Sequence, residues 1–279
     1  VAYAHNVDYV IEHKQNMGLA ATFRTGLTAC LERGADIIVN TDGDNQYPGR
    51  FIKDLVAPIL SGEADIVIGD RQVDKIAHFS PVKKVLQKFG SSVVRYVSNT
   101  DVPDAPSGFR SMTRDAALRI NIFTNYTYTL EMIIQAGRQN IAIKSVPIQT
   151  NPKTRESRLI SSIPSYIMRS AITILRIFVL YKPMRSFLYI SIPFFAIGGV
   201  LWMRFFVLML LGLTERGSNI QSITVGGVCV LLGFITILFG FIGDLIAINR
   251  RLKEDMLYYT KRMALAQTTS QSESRQPEQ

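Results

Sequence analysis

Apolar positions recur along this chain with two different periods and then crowd together without any period. Over residues 18–32, Leu19, Phe23, Leu27 and Leu31 come four apart and stack on one face of a predicted helix. The next apolar run, Ala35-Asp36-Ile37-Ile38-Val39-Asn40, has the length of a buried strand, and residues 64–69 repeat the pattern. Between them Pro48 suits the first turn of a helix over residues 49–60. Helix, strand, loop, helix, strand implies right-handed crossovers and a mostly parallel sheet. In such sheets ligands bind beyond the carboxyl ends of strands, where Asp42 and Asp44 fall. Further on, the periods predict helices over 82–97 and 128–137 and a strand over 141–150, while Pro103 and Pro106 bar a helix in the turn-rich stretch 101–108. Residues 8–12 read as a further short strand.

The pattern changes past Pro183. Residues 186–213 and 220–248 are long apolar runs, and at about 1.5 Å per residue each is long enough to cross a hydrocarbon layer of roughly 30 Å. Before them, residues 163–181 are apolar around most of the circumference, with Arg169 and Arg176 on one face. That fits a helix lying in a membrane interface or, alternatively, a buried core helix. The connector 214–219 holds a single basic residue, Arg216, so both ends of the hairpin are expected on the cytoplasmic side. Arg204, costly in lipid, snorkels to the interface or contacts a lipid phosphate or a second subunit of a homo-oligomer. The Gln- and Ser-rich stretch from Gln267 reads as disordered. The predicted organisation is an α/β domain over 1–158, a juxtamembrane amphipathic helix over 159–185, two transmembrane helices within 186–250, and a partly disordered cytoplasmic tail over 251–279.

Charge sharpens this picture. The formal net charge is +9, but the basic residues cluster at the hairpin's flanks: Arg155, Arg158, Arg169, Arg176, Lys182 and Arg185 before it, Arg250, Arg251 and Lys253 after it. Such flanks suit lipid headgroups. The aromatics lie in apolar runs rather than among the basic residues, which argues against nucleic acid. The two cysteines, Cys30 and Cys229, suggest neither a disulfide nor a metal cluster, and His5, His13 and His78 lack metal-ligand spacing.

The candidate chemistry begins at Thr41-Asp42-Gly43-Asp44-Asn45-Gln46-Tyr47-Pro48. Two carboxylates one residue apart at a strand end offer hard oxygen ligands to a divalent cation bridging a diphosphate; the same pair alone also makes turns and helix caps. Arg71, following the second strand, presents a planar fork that grips a phosphate or pairs with a surface acid. Ser80, Lys84 and Lys88 are spaced four apart, which makes either a phosphate-binding face near a helix start or a solvated basic face. Asp104 is either a catalytic carboxylate or part of a turn, and Glu131 either a base for a hydroxyl acceptor or a residue that orients a basic partner.

Together, Asn16-Met17-Gly18-Leu19-Ala20, the segment 36–48, Gly69-Asp70-Arg71 and Ser107-Gly108-Phe109-Arg110 resemble the inverting family 2 glycosyltransferases. More narrowly they resemble the branch of dolichol-phosphate mannosyltransferase and the bacterial polyprenyl-phosphate glycosyltransferases with two C-terminal membrane helices. The resemblance spans roughly residues 8–252. It implies a GT-A α/β fold that takes sugar from a UDP- or GDP-sugar and hands it to a polyprenyl phosphate on the cytoplasmic face, in a bacterium the inner membrane. Asp42, Asp44 and Gln46 would bind the donor and hold Mg²⁺ or Mn²⁺, with Asp44, Asp104 and Glu131 as catalytic candidates. Arg71, Ser80, Lys84, Lys88, Ser107 and Arg110 would meet the acceptor phosphate. Two other readings are a polysaccharide- or glycolipid-directed transferase and a catalytically silent membrane scaffold. The family's first strand and its acidic, base-binding loop have no counterpart before Asp8, and the chain starts at Val1, so a fragment is expected and the nucleotide base is not legible.

Overall fold

The computed structural model describes residues 3–73, 81–122, 128–152, 168, 172, 175–176, 178–212 and 220–273. Ser80 and most of the expected juxtamembrane helix lie outside these residues. The chain divides into two compact units, one formed by Val1–Ser170 with Glu254–Gln279 and the other by Ala171–Lys253.

The first unit is built on a four-stranded mixed sheet in the order β1-β3-β2-β4, with β1 Ile37–Asn40, β2 Ile66–Asp70, β3 Arg110–Thr113 and β4 Ile143–Pro147. β2 and β4 pair in parallel, whereas β3 lies antiparallel between β1 and β2. The expected α/β class holds, with β1, β2 and β4 running one way; β3 is an addition the periodicity did not show. Residues 8–12, expected as a strand, form no regular element in the described structure. The antiparallel insertion matters for function. It carries the amino end of β3, Gly108 to Arg110, to the same edge as the carboxyl ends of β1 and β2.

The helices are α1 Leu19–Glu32, α2 Ile52–Leu60, α3 Pro81–Ser98, α4 Arg114–Arg119 and α5 Tyr128–Arg138. On α1 the buried stripe is Ala20, Phe23, Leu27 and Leu31, while Leu19 is 58% exposed, so the packed face is set one residue later than expected at its start. The helix stops at Gly34, whose φ of 79° lets its N–H return to Leu31 while the Ala35 N–H bonds Cys30. Leu55 and Ile59 of α2 pack with Tyr47, Val67, Phe109 and Ile148 in one core cluster under the sheet's functional edge. The Ser111 hydroxyl donates to the Leu55 carbonyl at 2.6 Å, tying β3 to α2. Gly137 brings α5 against the end of α3: a Cβ there would stand 2.0 Å from the Ser98 carbonyl oxygen.

The second unit contains two apolar helices, α6 Pro183–Leu210 and the part of α7 up to Lys253; α7 as a whole spans Ile220–Glu273. Both are long and apolar enough to cross a membrane, and their large side chains, among them Ile192, Val200, Leu231 and Phe239, are exposed. Gly226, Gly233 and Gly240 recur every seven residues on α7 and receive Trp202, Phe195 and Phe187 of α6 in antiparallel order. A Cβ at Gly233 would lie 2.9 Å from the Phe195 ring. Small residues at this spacing let two backbones approach where water provides no driving force. Arg185 and Arg204 stand nineteen residues apart on α6, about 28 Å at 1.5 Å per residue, so both fit the two edges of a hydrocarbon layer and neither its centre. Helix α7 itself continues to Glu273, through the stretch from Gln267 that had read as disordered.

Candidate active site

The site is assembled at the strand edge where β1, β2 and β3 end together. β1 delivers Asn40, whose side-chain amide donates to the Gly108 carbonyl at 2.7 Å and to the Tyr128 hydroxyl oxygen at 2.8 Å. Asp42 follows two residues on and lies directly against Gly108: a Cβ there would be 2.7 Å from Asp42 Oδ2 and 2.9 Å from Oδ1. Glycine lets the Ser107-Gly108 turn close on that carboxylate without displacing it. From the other side the Gly108 N–H donates to the Tyr47 hydroxyl at 3.2 Å, and the Tyr47 and Phe109 rings stack at 5.1 Å. The motif that carries the paired acids and the Ser107–Arg110 motif are thus held as one piece.

Asp44 is exposed and accepts the Gln46 N–H at 3.0 Å, closing a turn in which Asn45 takes a φ of 58°. Asn151, past the end of β4, ties the loop down by donating to the Asn45 and Gln46 carbonyls at 2.8 and 2.9 Å. Electrostatically this corner is short of positive charge. Burial and the neighbouring Asp44 raise the Asp42 pKa, and the charges of Arg71 and Arg110 only partly offset this. Two neighbouring carboxylates suit a divalent cation. Among the described residues no third His, Cys, Asp or Glu joins them, so further ligands would come from Gln46, water and a diphosphate.

The other half of the edge is already neutralised. Arg71, at the end of β2, holds Asp104 through two parallel bonds, Nε to Oδ2 at 2.7 Å and Nη2 to Oδ1 at 2.8 Å, and its backbone N–H adds a third at 3.1 Å. The side chains are 8% and 1% exposed. Burial works against the arginine's charge, yet the paired carboxylate outweighs it and raises the Arg71 pKa. Arg110 is wholly buried, and its guanidinium donates to three backbone carbonyls, of Ser107 at 2.8 Å, Thr129 at 2.7 Å and Ala105 at 2.7 Å. Burial pushes its pKa down to about 10, so it stays charged at neutral pH. Tyr128 stacks on Phe23 of α1 at 4.1 Å, and burial raises its hydroxyl to about 12.

The structure therefore brings Asp42, Asp44, Gln46, Arg71, Asp104, Ser107 and Arg110 to one edge, two of them with their polar atoms engaged inside the protein. Asp104, expected as a catalytic carboxylate, has both oxygens committed to Arg71. Arg110, expected at the acceptor phosphate, spends its nitrogens on carbonyls and braces the turn between Ala105 and Ser107. Arg71 keeps Nη1, which makes no hydrogen bond among the described residues. Ser107 is fully buried beside the Tyr47 hydroxyl. Glu131 is 3% exposed, three residues after Tyr128 in the first turn of α5. Lys84, half-buried, and Lys88, exposed, lie one turn apart on α3. Asn40, Tyr47, Tyr128 and Asn151 were not among the expected residues. Only Asn40 carried a signal, a polar residue ending a buried strand.

Residues 7–120 match the protein family Glycosyl transferase family 2. Over those residues the chain is similar to the family 2 glycosyltransferases. Three curated relatives are similar over about half of the chain. An uncharacterized protein of Methanocaldococcus jannaschii is 31% identical over 146 residues, covering 50% of this chain and 60% of the relative. The UDP-N-acetylglucosamine–dolichyl-phosphate N-acetylglucosaminyltransferase of Methanococcus voltae is 30% identical over 145 residues, 50% and 58% of the two chains. The undecaprenyl-phosphate mannosyltransferase of Micrococcus luteus is 25% identical over 146 residues, 50% and 59%. The match thus spans about three fifths of the length of each of these relatives.

Proposed function

We propose that this protein transfers a sugar, with inversion, from a UDP- or GDP-sugar to a polyprenyl phosphate at the cytoplasmic face of a membrane. The observation that carries the choice of acceptor is the state of the two expected bases: Asp104 is bound on both oxygens by Arg71, and Glu131 is buried. A hydroxyl acceptor needs a group to take its proton, whereas a phosphate is already an anion. Two of the three relatives are named as transferases acting with a dolichyl or undecaprenyl phosphate, which favours the same acceptor.

In this reading an acceptor phosphate oxygen attacks the anomeric carbon as the bond from that carbon to the nucleotide diphosphate breaks. Asp42, Asp44 and Gln46 would hold Mg²⁺ or Mn²⁺ on the leaving diphosphate, where the cation neutralises the charge that develops. Gly108 keeps the acceptor-side turn against Asp42, Arg110 fixes that turn from beneath, and Asp104 aims Arg71 so that Nη1 faces an anion. The apolar helices supply the membrane attachment. The connector 214–219 holds a single basic residue, Arg216, which favours both ends of the hairpin on one side. Arg250, Arg251 and Lys253 at its exit favour the cytoplasmic side.

The test is to incubate the full-length protein in membranes with radiolabelled UDP- and GDP-sugars and Mn²⁺. The proposal expects one label to enter the lipid extract as an acid-labile sugar phosphate. Label that appears only in polysaccharide, or in no product, contradicts it.

A further inference from the structure

The stretch after the apolar part of α7 is bound into the catalytic unit. Glu254, Tyr258, Lys261 and Leu265 are spaced four, three and four residues apart, one stripe of a helix. Glu254 and Tyr258 are 5% and 8% exposed. The Tyr258 hydroxyl donates to Asp115 Oδ1 at 2.7 Å, and the Arg119 guanidinium, itself paired with Asp115, lies 4.6 Å from the centre of the Tyr258 ring. One turn on, Lys261 Nζ donates to Asn121 Oδ1 at 2.7 Å and to the Ile120 carbonyl at 3.4 Å, and burial lowers its pKa. Beside the contact is an open pocket of about 390 Å³ lined by Leu27, Leu31, Leu118, Ile120, Ala264 and Leu265 among others. Alongside the packing of Glu254 and Tyr258, these polar contacts set the register of the joint.

Asn121 is also the other end of a second contact. Its backbone N–H donates to Gln135 Oε1 at 2.8 Å, and Gln135 Nε2 returns a bond to the Asn121 carbonyl. Gln135 belongs to α5, the helix that brings Tyr128 to Asn40 and the Thr129 carbonyl to Arg110. The chain of contacts is therefore Lys261, Asn121, Gln135, α5 and the Ser107–Arg110 turn.

We infer that residues 254–265 form a strap whose Lys261 is a positioning residue: by holding Asn121 it fixes α5 and, through α5, the acceptor side of the active site. The inference rests on the reading of that site given above. It connects the segment that leaves the membrane hairpin to the geometry of transfer, so the hairpin's exit is part of the machinery as well as an attachment.

The experiment uses the full chain in lipid nanodiscs, as wild type, Lys261→Ala, Lys261→Arg and Tyr258→Phe. Amide exchange is followed by mass spectrometry, and transfer kinetics are measured with a polyprenyl phosphate and the nucleotide sugar found active. Loss of the Lys261 ammonium with its bonds to Asn121 Oδ1 and the Ile120 carbonyl predicts exchange over residues 128–135 about tenfold faster in Lys261→Ala, with acceptor KM up by a similar factor and donor KM unchanged. Lys261→Arg, which keeps a cationic donor, restores both. Tyr258→Phe accelerates exchange first in α4. Unchanged exchange over 128–135 in Lys261→Ala overturns the inference, as does a loss of activity that Lys261→Arg repeats in full. If the wild type transfers no sugar to the lipid, the functional reading fails, while the exchange data still decide whether the strap holds α5.

Discussion

The two halves of the active edge differ in how completely the protein satisfies its own charges. On the Asp42 side, two carboxylates stand one residue apart at the end of β1, and burial with mutual repulsion raises the pKa of Asp42. On the Arg71 side, a buried arginine and a buried aspartate meet through two parallel bonds, and Arg110 is matched carbonyl by carbonyl. A region that leaves charge uncompensated is prepared for a ligand; a region that compensates its charge internally is prepared to hold shape. In the proposed function the first half is the donor and cation side, and the second is the frame that sets the acceptor side against it.

The largest effect is expected where the uncompensated charge is removed. If Asp44 holds the cation on the leaving diphosphate as proposed, Asp44→Asn should lower steady-state transfer by about 10³-fold with the fold intact by circular dichroism. Breaking the frame should cost stability first: Asp104→Asn leaves Arg71 buried without its counter-ion, and denaturant melts of the solubilised protein should show a loss of about 3 kcal/mol. Replacing both partners together, Arg71→Met with Asp104→Leu, should cost less than Asp104→Asn alone. Gly108→Ala places a methyl 2.7 Å from Asp42 Oδ2, and a displacement of that carboxylate by a fraction of an ångström should lower transfer about 10²-fold with little change in melting.

The smallest effect sharpens the same contrast through pH. The raised pKa means that folded Asp42 keeps its proton at pH values where an unfolded aspartate has lost it. That group alone therefore favours folding at the acid end, and its contribution is lost as pH rises through the raised pKa. Asp42→Asn should accordingly melt slightly higher than wild type at neutral pH in the absence of cations. Apparent Mn²⁺ affinity should weaken on acidification at a higher pH than an ordinary aspartate would give, and titrations at several pH values measure that.

The sequence displayed the parts of this arrangement whose signals are local. Strands β1 and β2 followed from apolar runs, α1 and α5 from helical spacing, and Asp42, Asp44 and Gln46 from their place after a buried strand. Strand β3 escaped because Arg110-Ser111-Met112-Thr113 carries no apolar run. The burial of Arg110 and Ser111 depends on the Ser107, Ala105 and Thr129 carbonyls and on Leu55, partners up to 56 residues away. The same non-locality hid the partners of Asp104 and Arg110: a charged side chain in a turn looks like a free group until its partner from another element is known. Residues 254–265 read as tail because their polar stripe finds Asp115 and Asn121 more than a hundred residues earlier.

The central claim is that Asp42 and Asp44 jointly hold a divalent cation on the donor diphosphate. The free Mn²⁺ signal in electron paramagnetic resonance tests it directly, recorded with the full-length protein, with and without the nucleotide sugar that supports transfer. The account predicts that the protein and the nucleotide sugar together remove free Mn²⁺ far more strongly than either alone, and that Asp44→Asn abolishes the extra loss. Equal Mn²⁺ capture by wild type and Asp44→Asn in the presence of the nucleotide sugar would contradict it.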